Sequence, residues 1–374
     1  MIFMRVAIVH DMLIRMGGAE RVVLALKEIY PDAPIYTLLY DRKKMEPWFG
    51  NFEVRTSWLQ KLPGWARKKH RYLLNLMPLA VESFDLRDFD LVISSSTAYA
   101  KGVITRANAK HICYCHSPAR FLWDFTHAYL ESQDLGWLKR QAAIRSIPKL
   151  RLWDKSSAKR VDYFVANSKT TQQKIAKYYR RDSQIIYPPI PDLKFGREQR
   201  EADETKTKKN DYFLIVSQLV KHKKIDVAVE AFNKLELPLM IIGEGPERKA
   251  LQKMAGDNVK FLGFLSDDQV ARYLRNCRAF VFAGEDDFGI APVQAMKFGK
   301  PVLALRIGGA LETIREGVSG EFFDYPLPEI MADGVRRLLE KQYDENIIKK
   351  TVERFAEENF RRNFRNLAEE VRRA

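Results

Sequence analysis

Short apolar runs bounded by polar loops recur along this chain with helical segments between them, and that alternation restricts the folds open to it. Residues 5–9, 91–94, 111–115 and 163–166 are apolar enough to be strands covered on both faces. After the first of them, Gly17 and Gly18 make a glycine turn that opens a helix, with Val22, Val23, Leu26 and Ile29 at helical spacing. Strands alternating with helices predict a parallel sheet with helices on both sides.

The same theme starts again at 212–216 and continues through 239–242, 259–261, 279–282 and 302–304, with a helix expected from Ile225 to Leu235. Between the two series lie a proline-rich exit at 187–191 and a charged stretch nearly devoid of apolar residues. The expected organisation is therefore α/β, two doubly wound parallel-sheet domains at 1–190 and 212–354 joined by a linker at 191–211. The crevice between two such domains is the expected site. A last helical segment, roughly 347–373, is expected to return to the first domain through about 355–374. At 374 residues and 46% hydrophobic, the chain is long enough for two cores.

Within the second series, residues 286–302 carry the most chemistry. They read as a loop that enters a helix and leaves at Gly299, between the strands at 278–283 and 301–305. Unpaired N–H groups and the helix dipole favour an anion where strand gives way to helix. Pro292 suits the first turn, where its missing N–H costs nothing. Asp286 in the loop and Gln294 on the helix stand eight positions apart. A phosphate held between such polar anchors suggests a nucleotide that carries a hydroxyl-rich group.

The net charge of +15 also points to an anionic partner. Nucleic acid is not the expected one, because no finger, paired aromatic strand or basic zipper is present. Cys113, Cys115 and Cys277 cannot make a disulfide framework, so a reducing, cytoplasmic location is expected. No run approaches eighteen apolar residues, and the first ten residues are too short and too soon charged for a signal peptide. His111, Cys113, Cys115 and His116 lack the second ligand pair of a zinc site, so no metal is expected.

Several ordered motifs resemble the GT-B fold glycosyltransferases of family 4, a retaining group that moves a sugar from a nucleotide to an acceptor. They are Gly17, Gly18, Ala19, Glu20 and Arg21; the run 116–124 from His116 to Asp124; Asn167 and Ser168; Pro188 and Pro189; the run 217–226; Gly243 to Pro246; Leu262, Gly263 and Phe264; and the run 286–302 with Gly308, Gly309 and Glu312 after it. The likeness is strongest to mannosyltransferases of O-antigen and cell-surface glycan assembly. It implies a nucleotide-sugar donor, GDP-mannose as the best match, and no separate cofactor.

Carried over residue by residue, the resemblance gives Gly17 and Gly18 backbone amides for the diphosphate; an ordinary left-handed turn is the alternative there. Lys223 takes the place of the cation on the diphosphate, in a basic run that would otherwise be a solvated face. Asp286 falls near the transferred sugar and Gln294 at the ribose diol. Phe288, Gly289 and Ile290 supply amides to the sugar and phosphates. Leu262, Gly263 and Phe264 face the base, and Ser217, Gln218 and Gly243 belong to the donor-binding loops. His116, at a strand end, contacts the donor sugar, with a satisfied buried histidine as the alternative. Arg120 and Asp124 follow in the same loop. The implied catalytic set is His116, Asp286 and Lys223.

Three positions depart from the family pattern. Gln218 stands where arginine is usual, Gln294 where glutamate is usual, and Asp286 is one carbon shorter than glutamate. A charge-assisted hydrogen bond contributes about 1.5–3 kcal/mol against about 1 for a neutral one, so each change is worth roughly tenfold in binding. Lys221, His222 or Lys224 are candidates to replace the lost charge. A nucleotide-sugar-binding subunit with weakened catalysis, and a sugar-nucleotide epimerase of the same fold, are the rival readings.

The acceptor side is suggested by 58–77, where Trp58, Leu59, Leu62 and Trp65 adjoin Arg67, Lys68, Lys69, His70 and Arg71. This mix suits peripheral contact with an anionic membrane, at the inner face of the cell membrane, and a polyprenyl-linked or glycan acceptor. An amphipathic helix folded onto the domain is the other reading.

Overall fold

The computed structural model describes residues 4–69, 73–127, 130, 137–191 and 211–373. They form two compact units: Met1–Pro189 with Glu357–Ala374, and Ile190–Ala356. Apart from Pro191 and Asp211, the 191–211 linker lies outside the described residues.

The first unit is built on a seven-stranded sheet of order β3-β2-β1-β4-β5-β6-β7. Its strands are β1 Val6–His10, β2 Ile35–Thr37, β3 Val54–Thr56, β4 Leu91–Ser96, β5 Lys110–Cys115, β6 Tyr163–Ala166 and β7 Gln184–Ile185, all parallel. Both faces of β1 are covered. Val6 and Ile8 pack with Val22, Val23 and Leu26 of helix α1, Gly18–Ile29, while Ala7 and Val9 pack with Leu59, Met77 and Val92. This explains why β1 and β4 read as continuous apolar runs and not as alternating ones.

The second unit has a six-stranded parallel sheet of order β10-β9-β8-β11-β12-β13. Its strands are β8 Phe213–Val216, β9 Leu239–Ile242, β10 Val259–Gly263, β11 Ala279–Phe282, β12 Val302–Leu305 and β13 Gly320–Phe323. The Ile225–Leu235 helix covers it, with Ala228, Val229 and Phe232 buried beside Phe213, Ile215 and Ile241.

Two expectations need correction. The single helix expected over 347–373 is two. A Glu345–Val352 helix ends in a tight turn at Glu353–Phe355, and Ala356, extended at φ −60° and ψ 145°, bridges to Ile190. Only then does the Glu357–Arg373 helix begin, and its Phe360, Phe364, Leu367 and Val371 join the α1 side of the first core. Arg361 pairs with Glu28 of α1. The second correction concerns 58–77, which forms a turn at Trp58–Lys61 and a five-residue Gly64–Lys68 helix instead of one amphipathic helix. Pro63 between them fixes an extended backbone, and Leu59 is fully buried, not offered to a surface. Trp65 remains 71% exposed and Trp58 40%. His70 and Arg71, and the side chain of Lys68, lie outside the described residues.

One ion pair is sealed inside the first unit. The Lys101 and Asp154 side chains are 1% and 0% exposed and pair directly. Lys101 also donates to the Ala98 carbonyl at 2.8 Å and lies over the Trp153 and Tyr179 rings, while Trp123 Nε1 donates to Asp154 at 2.8 Å.

Candidate active site

In the second unit the chemistry gathers at the carboxyl ends of the strands. After β11 the chain passes Gly284 and Asp286 and enters the Ile290–Lys297 helix at Gly289, which sits at φ +84° and ψ 81° and offers no side-chain cap. The helix's first N–H groups are thus left without a side-chain partner at their cap. Phe288 is buried edge-on against Phe355, at 5.2 Å between ring centroids, so it offers the site its backbone and not its ring. Gln294 is half-buried on the helix and Ile290 half-buried at its start.

Lys223 is delivered to the same place by a turn at Lys221–Lys223 that follows β8. A Cβ on Gly284 would lie 2.6 Å from Lys223 Cα, so only glycine lets the turn press this closely on the β11 exit. The result is an ion pair, Lys223 Nζ to Asp286 Oδ1 at 2.5 Å, with side chains 13% and 26% exposed. Lys223 also stands 5.9 Å above the Phe282 ring. From the other side Gly309 N–H donates to the Asp286 carbonyl at 2.8 Å and fixes the loop.

The remaining loops of this end are pinned to one another. Ser217 N–H donates to Ile242 O at 3.0 Å, and Gly243 N–H to Gly263 O at 2.8 Å. Gly243 has φ +136°, and a Cβ there would fall 1.8 Å from the Ser217 carbonyl oxygen; the position excludes every other residue. Gln218 is exposed beside Ser217, Leu262 is half-buried at the end of β10, and Phe264 is 73% exposed.

The first unit carries its own polar cluster. Gly17 caps α1 with φ −161° and ψ −166°, which is extended backbone and not the left-handed turn considered for it; Gly18 is the first helical residue. His116 follows β5, and its Nε2 lies 2.8 Å from Ser95 Oγ. Its carbonyl accepts from Asn167 Nδ2 at 2.9 Å and Thr171 Oγ1 at 3.2 Å. Ser168 caps the Lys169–Tyr179 helix through Thr171 N–H, so the Asn167 and Ser168 motif holds His116 in place. Burial pushes the His116 pKa down to about 3, with the nearby His10 adding to the effect and Asp11 opposing it, so the ring is neutral. Asp124, by contrast, is tied to Lys174 at 2.6 Å and to the Tyr178 hydroxyl. Arg120 lies 5.9 Å over the Phe125 ring.

Three residues of this cluster were not singled out from sequence, His10, Asp11 and Ser95, and Glu20 was named only as part of the Gly17–Arg21 motif, with no role. His10 Nδ1 is 3.2 Å from the Ser95 carbonyl and 3.1 Å from Ser95 Oγ, while its Nε2 is 3.5 Å from Glu20 Oε1. Burial opposes charge on His10, but the Glu20 hydrogen bond and the charges of Glu20 and Asp11 outweigh it, and its pKa is raised above 6.5. The buried Asp11 carboxylate accepts backbone N–H bonds from Thr97, Ala98, Tyr99 and Ala100 at 2.5–2.9 Å, which ties the loop after β4 to the end of β1. The signal available was position: His10 and Asp11 lie at a strand's carboxyl end, as His116 does.

The supposed metal set is occupied otherwise. His111 Nε2 bonds Ser94 Oγ at 2.8 Å, and Cys113 and Cys115 pack with Phe164 and Ile175. No group of three or more metal-binding side chains occurs among the described residues.

A family model described as Glycosyltransferase Family 4 matches residues 16–192, and one described as Glycosyl transferases group 1 matches residues 196–361. The chain is 25% identical to the human alpha-1,3/1,6-mannosyltransferase ALG2 over 86% of its own length and 84% of that protein. It is 28% identical to the O-antigen chain mannosyltransferase C of Escherichia coli over 43% of its own length and 46% of that protein. The crystal structure of Anabaena Alr3699/HepE in complex with UDP superposes with a TM-score of 0.70 at 17% identity, covering 98% of this chain and all of the other. That likeness gives the fold, which is GT-B. The chain belongs to the family 4 glycosyltransferases and is a glycosyltransferase enzyme.

Proposed function

We propose that the enzyme transfers mannose from GDP-mannose, with retention and without a metal ion, to a glycan or polyprenyl-linked acceptor in cell-surface polysaccharide synthesis. The observation that carries this reading is the Lys223–Asp286 pair beside the start of the Ile290–Lys297 helix. A cation and the N-terminus of a helix suit a departing nucleoside diphosphate, and a carboxylate suits sugar hydroxyls. The mannosyltransferase names of the relatives support the choice of sugar.

In this reading the diphosphate takes Lys223 from Asp286, which turns to a hydroxyl of the sugar. Gly17, Gly18, Gly289, Ile290 and the Phe288 backbone give amides to phosphates and sugar. Gln294 bonds the ribose diol, and Leu262, Gly263 and Phe264 meet the base. Ser217, Gln218 and Gly243 shape the donor loops, and His116 bonds the sugar. The bond from C1 to the phosphate oxygen breaks, and its electron pair leaves with the diphosphate. The acceptor oxygen attacks C1 on the same face, and its proton passes to the departing phosphate. No protein nucleophile takes part; a trapped glycosyl-enzyme would overturn this.

Incubation with GDP-, UDP- and ADP-sugars and a lipid-linked acceptor tests the reading, with GDP released fastest from GDP-mannose in step with product. An intact but inverted donor marks an epimerase, and binding without release marks a non-catalytic subunit. Because Gln294 and Gln218 make neutral contacts where charge is usual, Gln294→Glu lowers the donor KM by roughly tenfold, and Gln218→Arg does so by a similar factor. Unchanged KM values in initial-rate measurements would show that the amides are not the weak points.

Peripheral contact with an anionic membrane at the inner face of the cell membrane belongs to the same proposal. Trp58, Trp65, Arg67, Lys68 and Lys69 are one element of it. The Trp137–Ser157 helix adds a second, with Trp137 and Leu152 each 72% exposed, Ile144 between them, and Arg140, Arg145, Lys149 and Lys155 exposed alongside. Asn75 Nδ2 donates to Ser146 Oγ at 2.9 Å, which links this helix to the 58–77 segment. No helix among the described residues is long and apolar enough to cross a membrane. The protein is expected to float with phosphatidylglycerol vesicles and not with neutral ones. Each basic residue removed from Arg67, Lys69, Arg140 or Lys149 weakens binding roughly fivefold. Equal flotation with both vesicle types would sink the idea.

A further inference from the structure

We propose that Glu20 and His10, acting through Ser95, are positioning residues that hold His116 as the tautomer with its proton on Nδ1. This deepens the assignment of His116 to the donor sugar and rests on it. The donor and acceptor capacities of the four groups favour one arrangement, in which the Ser95 hydroxyl hydrogen is also used. The Ser95 main-chain carbonyl can only accept, so His10 Nδ1, 3.2 Å away, carries a proton. The Glu20 carboxylate can only accept, so a proton on His10 Nε2 is favoured as well, and the ring is an imidazolium. The same His10 Nδ1 reaches Ser95 Oγ at 3.1 Å, so the hydroxyl receives on that side and directs its own hydrogen to His116 Nε2 at 2.8 Å. His116 Nε2 then accepts, and the imidazole keeps its one proton on Nδ1. Among the described residues Nδ1 has no hydrogen-bond partner.

The sheet register builds this chain of contacts. His10 lies directly opposite Ser95 in the β1–β4 pairing, and His116 follows β5 on the other side of β4. Glu20 comes from the first turn of α1, two residues after Gly18. The titratable groups facing His10 are thus Glu20 on α1, Asp11 on its own strand end, and His116 after β5. The arrangement supplies a neutral donor of fixed orientation to an oxygen of the ligand, which a freely tautomerising ring would supply only part of the time.

The test uses the full chain labelled with ¹⁵N-histidine, and long-range ¹H–¹⁵N correlations read each ring. In the wild type His116 shows a protonated Nδ1 and a bare Nε2, and His10 shows a protonated Nδ1, with a second proton on Nε2 as pH falls. Ser95→Ala releases His116 to a mixture of tautomers, and Ser95→Thr, which keeps the hydroxyl, restores one. Glu20→Gln keeps the size of the side chain and removes its charge. It lowers kcat roughly tenfold, the scale of one net hydrogen bond, with little change in KM. Because the carboxylate raises the His10 pKa, the imidazolium is present at low pH and lost as pH rises through that value. Glu20→Gln therefore moves the alkaline limb of the kcat/KM profile to lower pH. A wild-type His116 protonated on Nε2, or an unmoved alkaline limb in Glu20→Gln, overturns the proposal. Full activity in His116→Ala would instead overturn the sugar-binding assignment, while the tautomer spectra would still report on the relay.

Discussion

Changing Lys223 to methionine is expected to lower kcat for sugar transfer by about 10²–10³-fold, the usual cost of removing one preorganised group from developing negative charge. In the folded protein the ammonium is 2.5 Å from Asp286 and largely buried, so few other groups can take its place. The leaving diphosphate gains charge as the glycosidic bond breaks, and the cation's hold on it strengthens at that moment. An interaction of this kind lowers kcat and kcat/KM together when it is lost. Lys223→Arg keeps the charge, but the turn carrying it is pressed against Gly284, and the planar guanidinium does not replace a compact ammonium. Arginine is expected to recover activity only in part. The thermal midpoint of either variant should change less than for a fully sealed pair, because Asp286, 26% exposed, keeps contact with water when its partner is removed. Initial rates of nucleoside diphosphate release decide the matter, and a methionine variant with unchanged kcat would remove Lys223 from the mechanism.

The largest effect on stability is expected at Lys101. Replacing it with methionine fills much of the same space but leaves the Asp154 carboxylate buried without its partner, at a cost of about 3–5 kcal/mol. The double variant Lys101→Met with Asp154→Leu should recover most of the loss, since two apolar residues often replace a buried pair without penalty. Recovery will stop short by about 1–3 kcal/mol, because Trp123 Nε1 then loses its acceptor. Urea midpoints followed by tryptophan fluorescence measure this well, with Trp123 and Trp153 both beside the pair. A single variant as stable as the wild type would mean that the charge is compensated elsewhere.

What could be read from the sequence followed the distance over which each feature is encoded. The Ile225–Leu235 helix shows its period within eleven residues and was legible to its ends. β2 and β3 have three residues each, too few for a pattern, and only pairing makes them strands, β2 against β1 and β3 against β2. The break at Ala356 was hidden for a related reason. No proline or glycine marks it, and Phe355 and Phe360 continue the apolar rhythm across it, whereas the bridge to Ile190 comes from far along the chain. The candidate site divides in the same way. Asp286, Gly289 and Gln294 lie in one strand, loop and helix unit, and their arrangement follows from local geometry. His10 and Ser95 are 85 positions apart and meet only through the β1–β4 register, so nothing local announces the contact.

The Glu357–Arg373 helix gives the chain an order of completion. It supplies Phe360, Phe364 and Val371 to a core whose other members, Val22, Val23 and Leu26, are made first. All of Ile190–Ala356 is translated in between. At ribosomal rates of about 5–20 residues per second, the first unit waits on the order of ten to thirty seconds for its last piece. During that interval the side of this core that the last helix covers is open in a nascent chain, which makes it the natural target for a chaperone. A ribosome that stalls before codon 357 would release a protein whose second unit can be whole while its first cannot.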